Sequence, residues 1–132
     1  MRIVTIKSPP TVDALIERFS SRCAPFVLDS SLSNDGLGQW SFFGADPFLV
    51  FEGKDGIYTE RRTSQFADCA PGEVETSDGL GRLRELMAEY AIEHSSGIPF
   101  VGGAVGFLAY DYGRQIEALP DLTRDDRELP DL

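Results

Sequence analysis

The sequence is poor in the side chains that most catalytic and metal sites require. It has one histidine, His94, and two cysteines, Cys23 and Cys69, which lie in no metal-binding or redox spacing. No nucleophile or second metal ligand stands at a suitable spacing from His94, whose place near the end of a predicted helix suits a partly positive imidazole. We therefore expect no catalytic residue and no metal site in this chain, and two buried, reduced thiols.

Positive charge is also scarce. Lysine and arginine number 12 against 22 aspartates and glutamates, which gives a net charge of -10. This balance argues against nucleic acid, whose phosphates require a surplus of Lys and Arg, and against anionic membrane surfaces. No apolar run approaches the length of a membrane span, and the run at 1–7 is too short for a signal peptide. The sequence predicts a cytoplasmic protein with no nucleic-acid or membrane partner.

What the chain does contain is typical of one globular domain. Its 132 residues are 42% hydrophobic and 26% charged, so we predict a single domain over 1–132. Apolar residues at helical spacing predict helices, and shorter runs of β-forming residues predict strands. The predicted helices cover 12–22 and 80–94, the strands 2–6, 25–30, 39–44, 48–52 and 57–62, and a surface loop 64–77. The order indicates an α+β fold with a mainly antiparallel sheet, and Asp55-Gly56 predicts a hairpin turn.

The stretch from Ile98 to Pro120 is rich in apolar residues and glycine. It predicts a buried strand over 102–110, whose glycines permit the close approach of another backbone. These glycines do not form a phosphate loop, because no Lys-Ser or Lys-Thr follows them. Three polar residues after the strand predict a surface charge cluster: Asp111, Arg114 and Glu117. The acidic tail, 121–132, reads as a connector that packs against nothing in this chain.

Two serines end the predicted strand at 25–30. Ser30 and Ser31 lead into a loop rich in Ser, Asn, Asp and Gly, where a serine either starts a turn or hydrogen-bonds a small ligand. The residues alone leave both readings open.

Two longer stretches resemble the N-terminal part of the chorismate-utilising enzymes, the large subunits of aminodeoxychorismate (para-aminobenzoate) synthase and anthranilate synthase. The first is Phe26-Val-Leu-Asp-Ser-Ser31 followed by Trp40-Ser-Phe-Phe-Gly-Ala-Asp-Pro47. The second is Pro99-Phe-Val-Gly-Gly-Ala-Val-Gly-Phe-Leu-Ala-Tyr-Asp-Tyr-Gly-Arg114, then Glu117-Ala-Leu-Pro120. Gly113 and the Leu-Asp-Ser of 28–30 favour the para-aminobenzoate type. The alternative is the anthranilate type, which more often has valine and Leu-Glu-Ser at these places.

The resemblance implies part of a four-layer α/β/β/α fold with mainly antiparallel, orthogonally packed sheets. It also implies a reaction in which ammonia from a glutamine amidotransferase replaces a hydroxyl of chorismate, with Mg2+ as cofactor. The family's lysine nucleophile lies in a Pro-Ile-Lys-Gly-Thr motif, and the only lysines here, Lys7 and Lys54, are not in one. We therefore expect 1–132 to be an incomplete N-terminal domain that is inactive alone, with the catalytic region absent.

The resemblance also suggests a ligand site. In this family the serine of Leu-Glu-Ser helps to line a tryptophan pocket, and the matching residues here are Leu28, Asp29 and Ser30. An alternative function is thus a free-standing small-molecule-binding module without enzyme activity. We further expect the apolar surface of 102–110 to be partly exposed in the isolated chain, or covered by a second copy in a homo-oligomer.

Overall fold

The computed structural model describes residues 3–30, 38–62, 73–120, 125 and 127–132. The chain divides into two units, Met1–Pro47 and Phe48–Leu132. The helices are α1 (Val12–Ser20) and α2 (Gly79–Glu89), with a 3-10 helix at Tyr110–Gln115; the strands are β1 (Phe26–Leu28), β2 (Phe42–Gly44), β3 (Leu49–Lys54), β4 (Ile57–Arg62) and β5 (Glu73–Thr76). Helices beside two small antiparallel sheets, β1-β2 and β3-β4-β5, agree with the predicted α+β class. Four layers and orthogonal packing stay a prediction.

The first unit combines α1 with the two-stranded ribbon of β1 and β2. Thr11 caps α1, since its hydroxyl accepts a hydrogen bond from the amide of Ala14 at 3.3 Å. Asp13 in the first turn and Arg18 in the last turn suit the helix dipole. The helix ends before Pro25, in agreement with the sequence, although two residues earlier than predicted.

The second unit begins with the predicted hairpin. Asp55 and Gly56 have φ values of 51° and 80°, the two left-handed residues of a type I′ turn, and Lys54 pairs with Ile57 across it. β5 adds to the far side of β4, with Thr59 opposite Glu75. The expectation of a loop throughout 64–77 is therefore wrong for 73–76; the remainder, 64–72, lies outside the described residues.

Tyr58 is the centre of the second unit and has no exposed surface. A Cβ on Gly53 would lie 2.6 Å from Tyr58 Cα, and a Cβ on Gly79 would lie 2.6 Å from Tyr58 Cζ. Only glycine therefore permits β3 and the start of α2 to approach the Tyr58 side chain this closely. The rings of Phe51 and Tyr112 pack beside it, with centroids 5.9 and 6.3 Å away.

A buried ion cluster joins β4 to α2. Glu60 is only 2% exposed, and Arg82 donates to its Oε2 from Nε at 2.8 Å and from Nη2 at 2.6 Å. Arg62 donates to the other carboxylate oxygen at 3.2 Å. Both oxygens of the buried carboxylate are thus satisfied, which the burial of a charge requires.

Three sequence expectations differ from the structure. Residues 3–6 are not a strand. α2 ends at Glu89 and not at His94, and the next residue, Tyr90, packs its ring edge-on against Phe48. The predicted strand over 102–110 is also wrong: the chain runs without regular structure to the 3-10 helix. A strand requires a neighbouring backbone to pair with, and 102–108 has no such partner among the described residues. Its apolar side chains are exposed, as expected, including Val105 and Phe107.

The tail is not a free connector. The amide of Gly53 donates to the carbonyl of Leu132 at 3.0 Å, and the amide of Ala109 donates to the carbonyl of Asp131 at 2.7 Å. Lys54 donates to the carbonyl of Leu129 at 2.8 Å and pairs with Asp125. The expectation that the tail packs against nothing is wrong, because its backbone satisfies groups at the outer edge of β3.

Candidate functional site

The predicted ligand residues lie at the end of the β1-β2 ribbon. β1 and β2 pair antiparallel, with Leu28 opposite Phe42, and Asp29 and Ser30 follow β1 directly. Because side chains alternate between the two faces of a strand, Val27 and Phe43 share one face. α1 packs on that face through Phe19, whose ring centroid is 6.5 Å from that of Phe43.

The other face of the ribbon is apolar. We call it the open face; its side chains are Phe26, Leu28, Phe42 and the adjoining Trp40. Trp40 and Phe42 stack, with ring centroids 6.3 Å apart and planes 8° from parallel. Leu28 and Trp40 are 47% and 45% exposed, so both present apolar surface to a ligand. The open face therefore offers an aromatic platform beside the predicted site.

A polar pair lies at the end of the ribbon, where the register places Ser41 opposite Asp29, on the side of Val27 and Phe43. The Ser41 hydroxyl donates to Asp29 Oδ1 at 2.7 Å and accepts from the amide of Ser30 at 3.3 Å. Ser30 itself is exposed, and within the described residues its hydroxyl makes no hydrogen bond. In the described part of the chain, one Asp29 carboxylate oxygen also accepts no hydrogen bond. Ser31 lies outside the described part of the chain.

Sequence reasoning placed Leu28, Asp29 and Ser30 together but missed Ser41 and the aromatic pair as parts of the same site. The signal was the antiparallel pairing of 25–30 with 39–44. Once these two strands are paired at Leu28–Phe42, the residue before β2 must face the residue after β1. Ser41 and Trp40 follow from the register and not from any motif.

A charged clamp closes the opposite end of the ribbon. The Arg22 guanidinium, just after α1, donates to Asp46 Oδ2, and the amide of Cys23 donates to Asp46 Oδ1 at 3.1 Å. The hydrogen bond from Arg22 lowers the pKa of Asp46 and raises the pKa of Arg22. Cys23 itself is exposed, so the expectation of a buried thiol is wrong for it; Cys69 lies outside the described residues. The clamp has a structural role, since it ties the end of α1 to the end of the ribbon.

The remaining candidates form no site. His94 lies in an exposed segment after α2, with its Nδ1 3.1 Å from the Ser96 hydroxyl. Asp111 pairs with Arg114 at 3.0 Å on the surface, while the exposed Glu117 is held by its backbone amide. In the described ranges, no three His, Cys, Asp or Glu side chains converge to hold a metal. The residues described therefore do not form a Mg2+ site.

No helix in the described part of the chain is long and apolar enough to cross a membrane.

The chain is similar in sequence to component 1 of two kinds of synthase. Aminodeoxychorismate synthase component 1 of Bacillus subtilis is 32% identical over 131 residues, which is 96% of this chain and 26% of that protein. Anthranilate synthase component 1 of Mycolicibacterium smegmatis is 32% identical over 134 residues, 100% of this chain and 24% of that protein. Aminodeoxychorismate synthase component 1 of Escherichia coli is 39% identical over 112 residues, 80% of this chain and 22% of that protein.

The chain thus spans about a quarter of the length of these relatives. No protein-family model matches it. The identities to the two kinds of synthase are similar, so they support the family without distinguishing the product.

Proposed function

The chain belongs to the family of component 1 of aminodeoxychorismate and anthranilate synthases, and we propose that it forms the N-terminal region of an aminodeoxychorismate synthase. The observation that carries the proposal is the similarity over 96% of this chain to a synthase of which it covers 26%. The two kinds of relative have similar sequence identity to this chain, so overall identity does not distinguish them. The choice of the aminodeoxychorismate type rests on Asp29 and Gly113. The anthranilate type is the second candidate.

In the proposed parent enzyme, chorismate and ammonia from glutamine give 4-amino-4-deoxychorismate. The amidotransferase, the Mg2+ and the lysine nucleophile belong to that larger assembly. Among the described residues no three His, Cys, Asp or Glu side chains cluster, and neither Lys7 nor Lys54 lies in the motif of the nucleophile. In this proposal the chain has a structural and ligand-binding role: it covers the catalytic region and contacts the amidotransferase, while the chemistry belongs to the rest of the enzyme.

A chimaera tests this role. The chain replaces the corresponding quarter of the Bacillus subtilis enzyme, and aminodeoxychorismate formation is measured with chorismate, Mg2+ and ammonium. We expect activity within about tenfold of the parent enzyme, since the interface is shared, and no turnover from the 132-residue chain alone. A soluble, folded chimaera without activity, or turnover by the chain alone, would contradict the proposal.

A second function is favoured by the open face: binding of tryptophan or a similar aromatic amino acid. The Trp40–Phe42 pair suits an indole ring, whereas Asp29 lies on the other side of the ribbon. Ser30 adds a hydroxyl beyond the end of β1. The face is open on one side, so in the isolated chain we expect weak binding, with a dissociation constant of about a millimolar.

Calorimetry tests whether the open face binds tryptophan. Tryptophan is titrated into the wild-type chain, into Ser30→Ala and into the control Ser8→Ala, which changes an exposed serine before α1. Saturable heat that weakens in Ser30→Ala alone supports the binding role. No heat at millimolar tryptophan in any variant removes it and leaves the role as part of a larger synthase intact.

A further inference from the structure

The outer edge of β3 carries a docking arrangement that the proposed function does not use. The sheet order is β3-β4-β5, so β3 lies at an edge. At Gly53 this edge is already paired: Gly53 donates to the Leu132 carbonyl at 3.0 Å, and Leu132 donates to the Gly53 carbonyl at 3.3 Å. Two residues that exchange both hydrogen bonds form the hydrogen-bonded pair of an antiparallel ladder. Leu132 therefore stands in the position of a strand residue on the outer side of β3.

The rest of the edge is open. Backbone groups alternate in direction along a strand, so those of Phe51 and Leu49 point the same way as those of Gly53, away from β4. Among the described residues, neither Phe51 nor Leu49 has a backbone partner on that side. An edge with unpaired amides and carbonyls is a template for a further strand.

The direction of the approaching chain is set by Asp131. Its side chain is 5% exposed, and its Oδ2 accepts from the amide of Asp55 at 2.9 Å and from Gln115 Nε2 at 3.5 Å. Its own amide donates to the Gly53 carbonyl at 2.8 Å. With Asp131 held at the hairpin turn, a polypeptide that continues past Leu132 antiparallel to β3 advances towards Phe51 and then Leu49.

We propose that the outer edge of β3 binds an extended strand, and that its occupant is the polypeptide following Leu132 in a chain of the relatives' length. The second and fourth residues after Leu132 then exchange hydrogen bonds with Phe51 and Leu49. Continuity with the Leu132–Gly53 pair favours this occupant over a second copy, because the strand is tethered in register and no association cost arises. The proposal rests on the proposed function for the existence of that polypeptide.

Hydrogen exchange on three chains tests the proposal. The 132-residue chain is compared with a version extended by Thr-Val-Thr-Val-Thr and with a version extended by Thr-Pro-Thr-Pro-Thr. The prolines fall on the second and fourth added residues, the two that must donate to β3, so the extensions differ only in their ability to pair. We expect the Phe51 and Leu49 amides to exchange at least about tenfold more slowly with the valine extension, and unchanged with the proline extension.

Equal exchange of both amides in all three chains would overturn the docking surface. Slow exchange in the unextended chain that becomes faster on dilution would overturn the occupant in favour of a second copy. The same two amides are then followed in the chimaera with the Bacillus subtilis enzyme, where fast exchange would also reject the occupant. These readouts do not depend on chorismate turnover, so a failed amination test and a failed docking test remain distinguishable.

Discussion

Two buried polar side chains, Tyr58 and Asp131, connect parts of the second unit that are far apart in sequence. The Tyr58 hydroxyl donates to Gln115 Oε1, and Gln115 in turn donates to Asp131. The hairpin, the 3-10 helix and the C-terminal residues thus share one hydrogen-bonded group. Because Tyr58 and Asp131 are buried, removal of a hydrogen-bonding partner leaves a buried polar group unsatisfied.

Asp131→Ala is expected to destabilise the chain by about 1–3 kcal/mol, since the Asp55 amide and the Gln115 side chain lose their acceptor. Urea unfolding measures the change, with Glu117→Ala, an exposed carboxylate in the same unit, as the control. Asp131→Asn keeps an acceptor oxygen and should lose less. A stability equal to that of the control would mean that the tail contact does not contribute.

Tyr58 makes the stability of the chain depend on alkaline pH. Burial, the larger cause, raises the pKa of Tyr58 from 10.0 to about 12. Below pH 10 the phenol is protonated in both states; above it the unfolded chain loses the proton while the folded chain keeps it. Stability is therefore present below pH 10 and falls between pH 10 and 12, by about 1 kcal/mol at pH 11. The difference in unfolding free energy between wild type and Tyr58→Phe, measured by urea unfolding at each pH, should shrink accordingly.

Some helices, strands and turns can be predicted from adjacent residues, whereas others depend on pairing with residues far away in the sequence. The Asp55-Gly56 turn was predictable because it depends on a few adjacent residues. β5 was not, since Glu73–Thr76 is a strand only through its pairing with β4, at a distance in sequence. The converse holds for 102–108, where an apolar sequence finds no backbone partner among the described residues and forms no strand.

The same distinction applies to the candidate site. Leu28, Asp29 and Ser30 were found through a resemblance carried by consecutive residues. Ser41 and Trp40 join them only because β1 and β2 pair in one register. When a candidate site is built from two strands, the sequence around one strand identifies only that strand's residues. The residues of the second strand can be assigned only once the register is known.

Gly53 tests the close contact between β3 and Tyr58. A methyl group at position 53 would lie only 2.6 Å from Tyr58 Cα, so an alanine there requires the backbone to move. We expect Gly53→Ala to lower the unfolding free energy by about 1–3 kcal/mol. Gly106→Ala is the control, because nothing lies within 4 Å of its added methyl group. If thermal unfolding shifts equally in both variants, the contact is not a constraint on the hairpin.

In the isolated chain, a large apolar stretch is left without cover. Phe107, Leu108 and Tyr110 are 59%, 54% and 93% exposed, and they follow one another along a segment without regular structure. Soluble monomers rarely expose contiguous apolar surface of this kind. In a synthase of the relatives' length, the remaining three quarters of the polypeptide supplies the natural cover, according to the proposed function.

We therefore expect the 132-residue chain to associate as its concentration rises, through the stretch around Phe107. Sedimentation velocity should show the mean mass increasing with concentration, and Phe107→Ser with Leu108→Ser should weaken the association by about tenfold or more, since each removes about 1–2 kcal/mol of apolar burial. Both side chains are more than half exposed, so the double variant should unfold at nearly the wild-type urea concentration. In the chimaera with the Bacillus subtilis enzyme the same two serines face the catalytic region, and there they should lower stability. A wild-type chain that stays monomeric at all concentrations, or a chimaera indifferent to the two substitutions, would show that this surface is not an interface.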